Sequence, residues 1–183
     1  MTGYWALRTD QARRAFFWRE LKDGRLRQGW GYRPELDLEV LARLRDGGVK
    51  LAKYQQDAWQ GNRRLLQTQP DSMQTGDIVV FLNLPEYATW SIGRVTGGYR
   101  FQVSDEPNDV DGTPDYGHIR PVELLTGERP IRPGVGGVSD ALKRSMRPMS
   151  RMWSLDAHAE EIEGLTEGAS DTLILRSDSR RFR

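Results

Sequence analysis

Cysteine is missing altogether from this chain. That excludes a disulfide framework and any thiolate metal site, and it suits a reducing compartment. Histidine occurs only at His118 and His158, too sparse for an HExxH or HNH-like cluster. A GxxxxGK[ST] phosphate loop and a GxSxG elbow are absent as well. GRVTGG at 93–98 has the glycines of a phosphate loop, but it lies between two strand patterns and opens no helix. No apolar run approaches the ~20 residues that cross a bilayer, and the N-terminus carries no signal-peptide pattern. The expectation is a soluble, cytoplasmic protein without metal or cofactor. Nothing joins a nucleophile to a base by motif, so a non-catalytic role is expected.

Charge is scarce only in the sum. The formal net charge is +1, yet the signs are segregated along the chain. Residues 1–64 carry a net +6, 65–128 a net −7, 129–155 a net +5 and 156–183 a net −3. Two basic segments separated by an acidic one can fold into a single basic face, the footprint of a phosphate-binding surface. Solvated helix exteriors would give the same counts.

The most legible stretch is Gly76–Val103. Asp77–Leu82 is an apolar, β-branched run that reads as a strand buried on both faces, and Thr89–Thr96 resumes with β-formers. Gly97-Gly98 suits a tight hairpin turn into Tyr99–Val103, which completes an antiparallel meander. Ahead of it, Tyr4–Arg8 reads as a short strand with Trp5 and Leu7 on one face. Asp10 is placed to cap a helix over Gln11–Lys22, with Ala12, Ala15, Phe16, Phe17 and Trp18 as its buried side. Pro34 suits the start of a helix running to Gly47-Gly48, and a further helical stretch, Lys50–Gln67, is interrupted at WQGNRR. Ser104–Gly117 has the composition of an acidic surface loop. His118–Leu125 reads as a strand, with Pro121 arguing for an edge or a bulge. Ser139 caps a helix over Asp140–Arg147, and Ser154 caps a last one to about Leu165. We expect one domain over 1–165 and a tail over 166–183, in which Thr172–Arg176 is a candidate edge strand.

Six tryptophans are present, more than one core of this size needs. Trp30 lies in RLRQGWGYRP, between two glycines and beside basic residues, and Trp59 lies in WQGNRR. Aromatic faces stack on bases and on cationic groups, Asn offers both a donor and an acceptor, and Arg offers a fork for phosphate. A tryptophan plugging the core from a loop is the competing reading of each.

YWALRT, WQGNRR leading to MQTGDIVVF, and the later IGRVTGGYRF and HIRPVELL resemble, in patches over residues 3–165, the EVE domains of the PUA-like superfamily. These include the small β-domains ahead of the nuclease in modification-dependent restriction proteins. The resemblance implies an α+β fold, a PUA-like/EVE-like curled antiparallel β-barrel with flanking helices. It also implies a reader of modified bases. Trp59, Gly61, Asn62 and Arg63 fall on the family's ligand-side motif, although Asn62-Arg63-Arg64 departs from its usual Val-Arg-Asn.

The resulting expectation is a non-catalytic module that binds nucleic acid and holds a flipped 5-methylcytosine or N6-methyladenine of DNA. Trp30 and Trp59 would wall the pocket, Trp90 or Tyr99 would close it, and Asn62 would read the base edge. Arg25, Arg27, Arg63 and Arg64 would meet phosphates. The alternatives are an RNA-binding module acting on tRNA or rRNA, and a protein-interaction module whose tryptophans are hot spots. A separate nuclease is a further partner that the resemblance suggests; a membrane is not.

Overall fold

The run YWALR forms β1 (Tyr4–Arg8). Its period of two sends Trp5 and Leu7 into one hydrophobic cluster and Tyr4 and Ala6 into another. The computed structural model describes residues 2–167 apart from 109, 136 and 149; the expected strand at 172–176 lies outside the described residues. After β1 come α1 (Arg14–Lys22), β2 (Arg25–Gln28), α2 (Leu38–Asp46) and α3 (Lys53–Asn62). β3 (Ile78–Leu82), β4 (Trp90–Val95), the short β5 (Arg100–Phe101), β6 (His118–Leu124), α4 (Asp140–Ser145) and β7 (Met152–Ser154) follow, then a helix over 159–167. The sheet order is β2-β6-β4-β3-β1-β7, with β5 beside β6. This is an α+β fold, a strongly curled half-barrel of mixed strands flanked by helices.

The sheet is mixed where an antiparallel one was expected. β1 pairs parallel with β3, Tyr4 opposite Ile78 and Arg8 opposite Leu82. The connection between them passes through three helices, which is how parallel neighbours are joined. Nor does the chain turn back at Gly97-Gly98, neither of which has a positive φ. β4 and β5 both pair with β6, Val95 opposite Val122 and Arg100 opposite Ile119, so the two glycines sit in a bulge between segments that follow one neighbour. Pro121 lies inside β6, where pairing passes from β2 to β4. Helix α1 begins at Arg14, and the Asp10 carboxylate instead holds Ala12 N at 3.0 Å in the preceding turn. Ala12 and Ala15 are exposed, whereas Phe16, Phe17 and Leu21 are buried. Ser139 does cap α4, accepting from Leu142 N. β7 was not foreseen.

Two cores lie on the two faces of the sheet. Val79 and Phe81 of β3 join Trp5, Leu7 and the residues of α1–α3. Ile78, Val80 and Leu82 join Tyr4, Ala6 and Leu142 of α4. The wholly buried Arg120 donates to Leu65 O and Met73 O, both at 2.8 Å, and to Gly97 O at 3.0 Å, tying β6 to the chain between α3 and β3 and to the segment between β4 and β5.

Candidate functional site

Beyond the end of β2 the chain enters Gly29-Trp30-Gly31 with Trp30 at φ +67°. A left-handed conformation costs a non-glycine residue about 1–2 kcal/mol, so its surroundings must impose it. Asn62 Nδ2 donates to Gly29 O at 2.9 Å. The Asp115 carboxylate accepts from Trp30 N at 3.0 Å and from Gly31 N at 2.7 Å. His118 Nε2 donates to Trp30 O at 3.2 Å, while its Nδ1 accepts from Tyr99 OH at 2.8 Å, and Tyr99 OH accepts in turn from Leu38 N at 3.1 Å. These contacts fix one neutral tautomer. Desolvation pushes the His118 pKa down to about 4, and burial raises that of Tyr99, which keeps its proton to donate.

The indole this loop presents is 38 % exposed. A Cβ at Gly61 of α3 would lie 2.5 Å from Trp30 Cζ3, so only glycine lets the ring sit there. The Arg151 guanidinium stands over the indole, its Cζ 4.2 Å from the ring centroid. Neighbouring atoms desolvate this guanidinium and lower its pKa, although the residue as a whole is exposed.

Beside Trp30 opens a cleft of about 660 Å³, within the range of small-ligand sites. Phe17, Tyr32 and Tyr116 give it aromatic walls, and its lining mixes the carboxylates of Asp10, Asp57, Asp111 and Asp115 with the guanidiniums of Arg8 and Arg151. Thr9 and Gln28 also line it; they are 8 % and 4 % exposed, and neither Thr9 Oγ1 nor Gln28 Nε2 has a hydrogen-bond partner. Thr9 follows β1 and Gln28 ends β2, strands far apart in the sheet order, so the curl of the sheet brings them together. Two further grooves run on from Trp30 along α3. One is lined by Arg63, Arg64 and Arg151, and the next by Arg45, Lys50 and Arg63. Among the described residues none of these five cations takes part in an ion pair.

The residues expected to form one pocket are dispersed. Trp30 lines the cleft, and Arg63 and Arg64 line the groove beside it. Trp59 is only 4 % exposed and packs in the cluster of Leu41, Ala58 and Leu65, because α3 turns it inward. Asn62 is wholly buried, and its amide holds the Gly29 and Ala58 carbonyls instead of a base. Trp90 is buried on the opposite face of the sheet with Val138 and Leu142. Tyr99 is buried behind His118. Arg27 is buried, its Nε 2.5 Å from Glu20 and its Nη1 on the Gln102 and Tyr116 carbonyls, and Arg25 is bound to Glu20 and Asp23. Arg25 and Arg27 therefore satisfy β2 and α1 and have no free fork for phosphate.

A family model described as a domain of unknown function (DUF8426) matches residues 5–134. The chain belongs to the DUF8426 family. No curated protein matches it. The matched span of this DUF8426 chain contains Thr9, Gln28, Trp30, Asp115 and His118, whereas Arg151 lies beyond it.

Sequence reasoning missed Thr9, Gln28, Asp115, Tyr116 and Arg151, which the DUF8426 chain brings to this cleft. Only Arg151 left a signal, since it belongs to the second basic segment, which meets the first at Trp30. Asp115 and Tyr116 looked like surface loop yet are 4 % and 5 % exposed. The fold also brings Ser145 Oγ within 2.7 Å of His158 Nε2, a pair unmarked by any motif; neither residue lines the cleft. Among the described residues no group of three or more His, Asp or Glu side chains is placed to hold a metal ion, and no helix is long and apolar enough to cross a membrane.

Proposed function

We propose that this protein is a non-catalytic nucleic-acid-binding module that holds one modified base, 5-methylcytosine or N6-methyladenine, out of the stack in the cleft beside Trp30. In this reading the half-barrel is a PUA-like, EVE-like fold. The strong curl of the sheet and the helices that flank it support that assignment.

One observation carries the reading. Thr9 Oγ1 and Gln28 Nε2 are buried, unpartnered and on the lining of an aromatic cleft. Buried polar groups are almost always hydrogen-bonded, so two without a partner on residues that line one cleft point to a ligand with a polar edge and a flat body, which they meet once their side chains turn towards it. A nucleobase has both. Gln28 would donate to a ring nitrogen or carbonyl, Thr9 would donate or accept, and the guanidinium of Arg151 backed by Trp30 offers a plane on which a base stacks. The cations in the adjoining grooves, which make no ion pair among the described residues, supply the charge that a phosphate backbone requires.

The test is binding of labelled DNA oligonucleotides with and without the modified base, at fixed salt. Wild-type protein should prefer the modified oligonucleotide, and Gln28→Met should remove that preference. Equal affinity of the wild-type protein for modified and plain DNA would end the base-reading proposal.

A further inference from the structure

We infer that the groove between α2 and α3 is a binding site for a phosphomonoester dianion, separate from the base cleft. It goes beyond the base-reading proposal and does not depend on it. The groove has a volume of about 470 Å³. Along α3 and its C-terminal cap the helical period puts Gln56, Trp59, Gln60 and Arg63 at i, i+3, i+4 and i+7, on one face. Opposite them α2 brings Arg45 near its end, and the turn at Gly48, with φ +75°, leads to Lys50. All six side chains belong to residues that line the groove, and no carboxylate lines it. Asp57, which lines the adjoining groove with Arg63, is paired to Lys53 at 3.2 Å.

Three features of this lining call for an oxyanion. Among the described residues Arg45, Lys50 and Arg63 take part in no ion pair, and like charges gathered in one groove repel until an anion joins them. Trp59 Nε1 is buried without a hydrogen-bond partner, whereas Trp5 Nε1 donates to Asp77 and Trp153 Nε1 to Ser145 O, each at 2.8 Å. An indole nitrogen only donates, so what it lacks is an acceptor. The Arg45 guanidinium lies over that indole, its Cζ 4.8 Å from the ring centroid, on a residue that is exposed and able to turn. Once it turns to an anion in the groove, the ring beneath is uncovered to the same oxygens. Two guanidinium forks, an ammonium and a lone indole donor suit a group with several acceptor oxygens and more than one charge. A phosphomonoester carries about −1.5 to −2 near neutral pH on three strong acceptors. A phosphodiester within a strand and a carboxylate carry a single charge each. The group comes either as the terminal phosphate of a bound strand or as free phosphate.

The experiment is isothermal titration calorimetry of the full chain at fixed ionic strength in chloride. The probes are inorganic phosphate and the modified oligonucleotide bearing a 5′-phosphate, a 3′-phosphate or neither. Phosphate should bind saturably at one site per chain. Arg45→Gln/Lys50→Gln, at exposed positions, should weaken it at least about tenfold, the worth of a charge-assisted hydrogen bond. Trp59→Phe, which removes only the N–H donor from a retained ring, should weaken it about fivefold. Arg100→Gln/Arg144→Gln removes the same charge from exposed positions outside the groove and should leave binding unchanged. A terminal phosphate that raises oligonucleotide affinity at least about tenfold in wild type, but not in Arg45→Gln/Lys50→Gln, identifies the strand end as the source. Phosphate binding without that gain identifies free phosphate. Absence of saturable phosphate binding together with no gain from either terminal phosphate, or equal weakening by the two double variants, would overturn the site and leave base reading standing. Equal affinity for modified and plain oligonucleotides would end base reading and leave this site standing.

Discussion

The Gly29-Trp30-Gly31 loop and the Trp59–Arg64 segment touch each other, and each carries a tryptophan among glycine, polar and basic neighbours. Trp30 stands on a left-handed backbone clamped from three directions and keeps 38 % of its surface exposed. Trp59 stands on an ordinary helix and keeps 4 %. A helix assigns its faces by period, so polar neighbours at 60, 63 and 64 say little about where 59 points. A pinned loop has no such period, and there the backbone contacts decide what is shown to solvent. In the loop, buried polar groups serve to present an indole; in the helix, an indole serves the core.

The largest expected break in this comparison is in stability. Trp59→Ala should lose about 3–5 kcal/mol in urea unfolding, as emptied aromatic core sites do. Trp30→Ala should lose less than about 1 kcal/mol, since its ring is partly exposed and the backbone clamps remain. Similar losses for both variants would abolish the distinction between them.

Acid comes next. Because burial holds the His118 pKa at about 4 against 6.5 for the unperturbed group, the unfolded chain binds the extra proton first. Stability therefore declines as pH falls from about 6.5 to about 4, by up to about 3 kcal/mol, and is fully present above pH 6.5. Urea midpoints across pH 4–8 measure this, and a flat profile would contradict a neutral imidazole bridging Tyr99 and Trp30.

Gly61→Ala sharpens the comparison at the point of contact. The methyl group improves helix propensity by about 1 kcal/mol yet occupies the place of the Trp30 ring. Stability should stay within about 1 kcal/mol of wild type while affinity for the modified oligonucleotide falls. An unchanged affinity would show that the position of the Trp30 ring does not matter. The smallest stability effect belongs to Thr9→Val and Gln28→Met, each expected to change unfolding free energy by under about 0.5 kcal/mol because no partnered hydrogen bond is removed. A loss of several kcal/mol from either would assign these side chains to the scaffold instead of a ligand.

Much of the scaffold was readable because it rests on local periodicity. The unbroken run at 78–82, the alternation at Tyr4–Arg8 and the Ser139 cap all came from patterns within a few residues. What failed depended on distant partners. Gly97-Gly98 has the composition of a turn, but β6 holds the chain on both sides of it. Arg25 and Arg27 look like free cations until Glu20 is placed between them. Of the site, Trp30 and the pair Arg63 and Arg64 were legible from the glycine and arginine spacing. Thr9, Gln28, Asp115 and Arg151 come from four separate parts of the chain, and only the closing of the half-barrel makes them neighbours.

The most direct measurement is intrinsic fluorescence during titration with an oligonucleotide carrying the modified base, compared among wild type, Trp30→Phe and Trp59→Phe. Both substitutions keep an aromatic ring, so the fold is retained. Quenching on binding should vanish in Trp30→Phe and persist in Trp59→Phe. Quenching that persists in Trp30→Phe and vanishes in Trp59→Phe would contradict the account.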